Sequence, residues 1–193
     1  MKAWVASLGF LAALAFAEWP AFAAAPDIPA AAAKCEACHD NGTASMPRLD
    51  GQPAPYLASR IRSFSDLTRQ SPHAYFMFDV NAGLSDAAVV ALAKYISARA
   101  PASPAGNGPL SAKGEHLYRF GAGADIGACQ GCHGANAEGG GKVPRLAGQR
   151  GAYLREQLED FSMFMRVHET MNMHARKMTE DQINALVAFL SRG

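Results

Sequence analysis

The chain has 193 residues, and its 18 basic and 17 acidic side chains leave a formal charge of +1, without the cationic excess that nucleic acid or an anionic membrane would select. Four cysteines are too few for a disulfide-dense scaffold of this length.

The first segment reads as an address rather than as structure. Lys2 precedes an apolar run from Ala3 to Ala17, and Ala21-Phe22-Ala23 supplies a small-x-small cleavage pattern. The run is shorter than the roughly 20 residues of a spanning helix, and Glu18 and Pro20 bar its extension. Residues 1–23 are therefore expected to be a cleaved signal peptide, with cutting after Ala23 or Ala25, and the mature protein to be periplasmic with no integral span. Peripheral membrane association is left open.

After a short alanine-rich stretch, too brief to promise more than a short or frayed helix, comes Cys35-Glu-Ala-Cys38-His39. Pro47-Arg-Leu-Asp-Gly51-Gln52 and Tyr56-Leu57 come next, and Leu57, Ile61 and Phe64 have the spacing of one helical face. Beyond Met77, Leu84-Ser-Asp introduces a second such face at Val89, Leu92, Ala93 and Ile96, with Ser85 in the N-cap position. Ala100 to Pro109 is rich in proline and glycine and cannot continue a helix, so residues 101–110 are expected to be a linker between domains at 24–100 and 111–193.

The second half repeats the first. Ser111 to Phe120 has helical composition, and Cys129-Gln-Gly-Cys132-His133 recurs 94 positions after its counterpart. Pro144-Arg-Leu-Ala-Gly148-Gln149, Tyr153-Leu154, the face of Leu154, Leu158 and Phe161, and Met171 appear in the same order. Met178-Thr-Glu opens a closing helix with Ile183, Leu186, Val187 and Leu190 on one side, and Thr179 with Gln182 forms a capping-box pattern. No alternating strand pattern of any length appears, and the fold class is all-α.

Cys-x-x-Cys-His is a haem c attachment signature: two thiols can each bond a haem vinyl group, and the adjacent imidazole then lies beneath the iron. A zinc site assembled from both triplets is the competing reading, although zinc sites seldom place histidine directly after the second cysteine. A thioredoxin-like pair is disfavoured because no strand precedes either motif.

With the doubled motif, the Pro-x-Leu-x-Gly-Gln stretch and the closing helix in place, nearly all of the mature chain resembles the dihaem cytochrome c4 family, in which two class I cytochrome c domains are fused in tandem. The resemblance implies two haem c groups, bound through Cys35, Cys38, Cys129 and Cys132, with His39 and His133 as proximal ligands and a methionine opposite each. Matching positions gives Met77 and Met171, each seven residues before Leu84 or Met178. His73, His168 and Met173 compete for these places, and Met163 and Met165 leave a copper site as a remote alternative. Pro47 and Pro144 match the proline whose carbonyl holds the proximal imidazole. Tyr56, Tyr153, Gln52, Gln149, Arg48 and Arg145 are expected either to reach haem propionates or to serve packing, and His116 and His174 to be ordinary polar positions. The family also implies an approximate two-fold axis between the lobes.

A haem with six ligands has no vacancy for substrate, so the expected role is one-electron transfer between protein donors and acceptors such as an oxidase, reductase or dehydrogenase, without catalysis. From Ala24 the first half carries seven basic and seven acidic residues and the second ten and nine, so docking is expected to use local patches. The alternatives are a cytochrome subunit of a sulfide dehydrogenase and a dihaem peroxidase. A thiosulfate dehydrogenase using a cysteine as axial ligand is disfavoured, because all four cysteines are assigned to attachment.

Overall fold

The computed structural model describes residues 27–40, 43–65 and 75–191. The expected signal segment and His73 lie outside them. The described residues form helices and three isolated bridges, with no named strand. The first lobe comprises α1 (Ile28–His39), α2 (Ala54–Ser65), α3 (Tyr75–Asn81) and α4 (Asp86–Ser97). In the second, α5 (Gly108–Phe120) and α6 (Gln130–His133) precede α7 (Gly151–Ser162), α8 (Glu169–Ala175) and α9 (Glu180–Leu190). Among the described residues no single helix is long and apolar enough to cross a membrane.

Two boundaries differ from the sequence reading. α1 is neither short nor frayed. It spans 12 residues, because Asp27 caps it through Ala30 N (3.1 Å), Pro29 fits the first turn and the alanines after it are the strongest helix formers. The irregular segment between lobes ends at Asn107, not at residue 110, since Pro109 sits in the first turn of α5, where its missing N–H is not needed.

Each lobe buries its own core. Val89, Leu92, Ala93 and Ile96 of α4 close on Ala32 of α1 and Leu57 and Ala58 of α2. Leu186 and Leu190 of α9 close on Leu117 and Tyr118 of α5 and Leu154 of α7. Ser85 accepts from Ala88 N at 3.2 Å, and Thr179 and Gln182 form the complete capping box at 3.3 and 2.9 Å, as their sequence positions suggest. Such caps typically contribute about 1 kcal/mol each. The buried stripe of α9 is shifted relative to expectation: Val187 is only half-buried, and Ala185 is buried instead. The cause is the crossing of α5, whose Gly114 comes so close that a Cβ there would lie 1.9 Å from the Ala185 carbonyl oxygen. The first lobe makes its equivalent crossing through Ala32, which is fully buried and does carry a Cβ.

The lobes are joined by a reciprocal clasp. Gln52 Nε2 donates to Arg145 O (2.8 Å) while Arg145 N donates to Gln52 Oε1 (3.0 Å). Gln149 Nε2 donates to Arg48 O (3.0 Å), and Arg48 N donates to Gln149 Oε1 (2.7 Å). Each side-chain amide thus pairs with a backbone amide of the other lobe as a neighbouring strand would, and both glutamines are buried. The exchange of equivalent partners is what an approximate two-fold relation between the repeats requires. Gly51 and Gly148, both at positive φ, turn the chain into these glutamines. The linker passes over both corners: a Cβ at Gly51 would meet Pro101 at 2.6 Å, and one at Gly148 would meet Ala102 O at 2.0 Å. Glycine is required at both corners by conformation and by space.

Candidate functional site

Both Cys-x-x-Cys-His motifs lie on helical turns that place the first cysteine half-buried, the second exposed and the histidine buried. In the first lobe the motif forms the C-terminal end of α1. In the second, α5 stops at Gly121, a loop bridged between Ala122 and Ile126 intervenes, and the motif occupies α6. None of the four cysteines is joined to another by a disulfide. Burial pushes the Cys35 and Cys129 thiols above their ordinary value. Among the described residues no group of three or more His, Cys, Asp or Glu side chains converges to hold a metal ion, so the zinc reading finds no geometry here.

The imidazoles are oriented alike. His39 Nδ1 lies 2.7 Å from Pro47 O, and His133 Nδ1 lies 3.0 Å from Pro144 O. A carbonyl can only accept, so each ring carries its proton on Nδ1 and leaves the Nε2 lone pair available. Burial lowers the proton affinity of both rings, against the pull of the proline carbonyls, and so favours the neutral form, the one that ligates metal.

The supports behind the two motifs differ. In the first lobe Arg99, just past α4, bonds Glu36 and reaches Asp40 and Asp50, each at 3.2 Å, tying the end of α1 to the Gly51 corner. In the second, the fully buried Tyr118 donates to Gly134 O at 2.5 Å.

Met77 and Met171 each occupy the third position of a seven-residue helix, α3 and α8, and both are half-buried. Among the competitors, Met163, Met165 and Met173 are exposed. His168 caps α8 by accepting from Met171 N at 3.4 Å and meets Phe161 edge-on. His116 is exposed, whereas His174 is more than an ordinary polar position: it is half-buried against Gly127, and its Nδ1 is buried without a hydrogen-bond partner.

Arg166 lies at the junction of the lobes, and no sequence pattern singles it out. It is 8% exposed, donates to Gln157 Oε1 (2.7 Å) and to the Tyr56 hydroxyl of the first lobe (3.3 Å), and stacks on Phe161. Its Nε is buried with no hydrogen-bond partner. A buried, orphaned guanidinium donor fits a carboxylate supplied by a bound group, as a haem propionate would be. Gln52 and Gln149, by contrast, are committed to the clasp.

A cytochrome c family profile matches residues 111–193. Over 200 aligned residues the chain is 36% identical to the thiosulfate dehydrogenase electron acceptor of Thiomonas intermedia, covering 97% of this chain and 88% of that one. It is 32% identical to cytochrome c4 of Azotobacter vinelandii over 83% of this chain and 82% of the relative. The solved cytochrome c4 structure of Acidithiobacillus ferrooxidans superposes with a TM-score of 0.76 at 32% identity, covering 82% of this chain and 98% of that one. The chain belongs to the dihaem cytochrome c4 family.

As a cytochrome c4 homologue it consists of two tandem class I cytochrome c domains with two haem c groups, one per domain, and works as an electron carrier among redox proteins. Haem, when bound, supplies an iron that alternates between ferrous and ferric states. The chain's own residues would present to such a group two thiols and one oriented, buried imidazole per lobe, and Arg166 would offer its Nε–H to an anionic substituent. Sequence reading misses Arg166, Tyr118, Arg99 and Arg150. Only Arg150 has a local signal, since it stands where the first repeat has Pro53.

Proposed function

We propose that this cytochrome is exported to the periplasm by residues 1–23 and there shuttles single electrons from dehydrogenase or reductase partners toward a terminal acceptor. Cys35, Cys38, Cys129 and Cys132 carry the thioether bonds, His39 and Met77 ligate one iron, and His133 and Met171 the other. Pro47 and Pro144 tune the proximal ligands by accepting from Nδ1, which raises the electron donation of each imidazole. Methionine opposite histidine keeps both potentials above those of a bis-histidine haem.

The observation that carries this reading is the position of the clasp. Pro47 and Pro144, the acceptors for the two imidazoles, each immediately precede an arginine whose backbone is gripped by a glutamine of the other lobe. The two proximal sites are thus fixed relative to one another through a few rigid bonds, which suits electron exchange within the molecule rather than substrate turnover. Redox titration of the exported protein with optical detection tests it. The expected oxidised spectrum contains a methionine-to-iron charge-transfer band to which both haems contribute, and Met77→Ala or Met171→Ala removes one contribution. An intact band in either variant would reassign that ligand, and rapid reaction of the wild type with peroxide would favour a peroxidase.

A second reading is that the protein serves one sulfur-oxidising dehydrogenase as its dedicated acceptor. Similarity to the Thiomonas intermedia thiosulfate dehydrogenase electron acceptor over almost the whole chain favours thiosulfate over sulfide as that enzyme's substrate. Co-purification with a catalytic subunit supports this reading, and a freely soluble monomer reduced by several donors opposes it.

A further inference from the structure

The loops that join each proximal histidine to its proline are built on different plans. In the second lobe the loop spans 11 positions and holds itself together. Gly139 N donates to His133 O (2.8 Å), Ala137 N to Gly134 O (3.1 Å), and Gly140 and Val143 exchange bonds at 3.0 and 2.9 Å. Ala137, in the left-handed region, accepts from both Leu146 N and Ala147 N. In the first lobe the loop spans only 8 positions, and Met46 N to Thr43 O (3.0 Å) is the backbone bond seen among its described residues.

Carbonyls of its described residues are bonded from the other lobe. Arg150 Nη1 donates to Met46 O (2.7 Å) and reaches Thr43 O (3.5 Å), while Nη2 donates to Asp40 O (2.8 Å). Arg150 is 7% exposed, and its guanidinium bonds carbonyls at both ends of the loop, directly after His39 and directly before Pro47. Its own backbone N–H is held by Gln149 Oε1 at 2.9 Å, so it is anchored in the clasp. The arrangement has no mirror image, because the equivalent position in the first repeat is Pro53, which has no donor.

We propose that Arg150 is a positioning residue for the first haem: from the second lobe it fixes the loop that offers the Pro47 carbonyl to His39 Nδ1, and so sets the electron donation of that proximal ligand. The inference rests on His39 being the proximal ligand. It makes the potential of the first haem depend on the Arg150 side chain of the second lobe, whereas the loop between His133 and Pro144 is bonded within itself and is met from the first lobe only through the Gln52 clasp at Arg145.

The test uses the dihaem holoprotein carrying Arg150→Lys. Lysine keeps the positive charge, but a single ammonium cannot span the two ends of the loop as the planar fork does. Potentials are followed through the resolved methyl signals of each haem, and amide exchange is followed in peptides covering the two loops. The expected result is about tenfold faster exchange in the loop between His39 and Pro47, in line with loss of one charge-assisted hydrogen bond. Exchange between His133 and Pro144 should be unchanged. The potential of the first haem should rise, because a weaker Pro47 bond leaves a poorer electron donor, and that of the second should not. Equal shifts in both haems, a fall in the first, or faster exchange with an unmoved potential would overturn the proposal. Loss of haem from the wild type would instead sink the ligand assignment on which it rests, a distinct outcome visible in the optical spectrum.

Discussion

The two lobes carry the same motif and stabilise it differently. In the second, the histidine loop is bonded to itself, Tyr118 fastens its start, and α5 crosses α9 at van der Waals limit over Gly114. In the first, the loop is shorter, its Asp40 and Met46 carbonyls accept from Arg150 of the other lobe, and the end of α1 is tied by Arg99. A repeat can therefore conserve its chemistry while moving the support from inside the domain to its interface. Both lobes lean on each other through the glutamine clasp, but only the first has its histidine loop itself bonded by a side chain of the other.

The largest contrast should come from Gly114→Val. The added side chain meets the Ala185 backbone, which cannot move aside, and overpacking of this severity costs about 3 kcal/mol or more. Urea unfolding should then show the second lobe melting before the first, and a single unchanged transition would contradict the crossing described. Gln149→Ala comes next. Its Oε1 accepts from both Arg48 N and Arg150 N, so truncation strands two N–H groups and should cost about 2 kcal/mol. Gln52→Ala strands fewer and should cost about 1 kcal/mol. Equal losses in unfolding free energy would show that the clasp is symmetric after all. Arg99→Gln should affect only the first lobe and by less than about 1 kcal/mol, since its ion pairs are roughly a third exposed and screened by solvent.

The smallest contrast is expected with pH. His39 and His133 are both depressed below the ordinary histidine value, by burial first. The unfolded chain then binds more protons than the folded one below about pH 6.5, so stability is complete above that pH and falls as acid approaches the lower folded values. Haem ligation acts in the same direction, because the iron binds only neutral imidazole. Denaturant midpoints measured from pH 7 downward should decline for both lobes together, and an acid-stable lobe would show that its imidazole is not the buried, neutral group described.

Much of this is legible in the residues. The period of the apolar positions marks α2, α4, α7 and α9, and Ser85 and Thr179 with Gln182 mark helix starts, because caps and stripes are local features. The doubled Cys-x-x-Cys-His and the matching prolines likewise sit close in sequence to what they touch. What escapes is non-local. Gln52 with Arg145 and Gln149 with Arg48 are separated by 93 and 101 positions, and Arg150 reaches Asp40 across 110. No periodicity encodes such partners, and a charged residue at position 150 reads as a surface residue until its carbonyl acceptors are seen. α1 is easily underrated because alanine carries no face to recognise, although it favours helix more than any other residue.

The central claim is that each lobe holds one covalent haem beneath its own oriented histidine. Intact-mass measurement of the exported protein, made in a host able to mature c-type cytochromes and compared with a Cys35→Ala, Cys38→Ala double variant, tests it most directly. The account predicts the mature polypeptide plus two haems for the wild type and plus one for the variant. A wild-type mass equal to that of the bare polypeptide would contradict it.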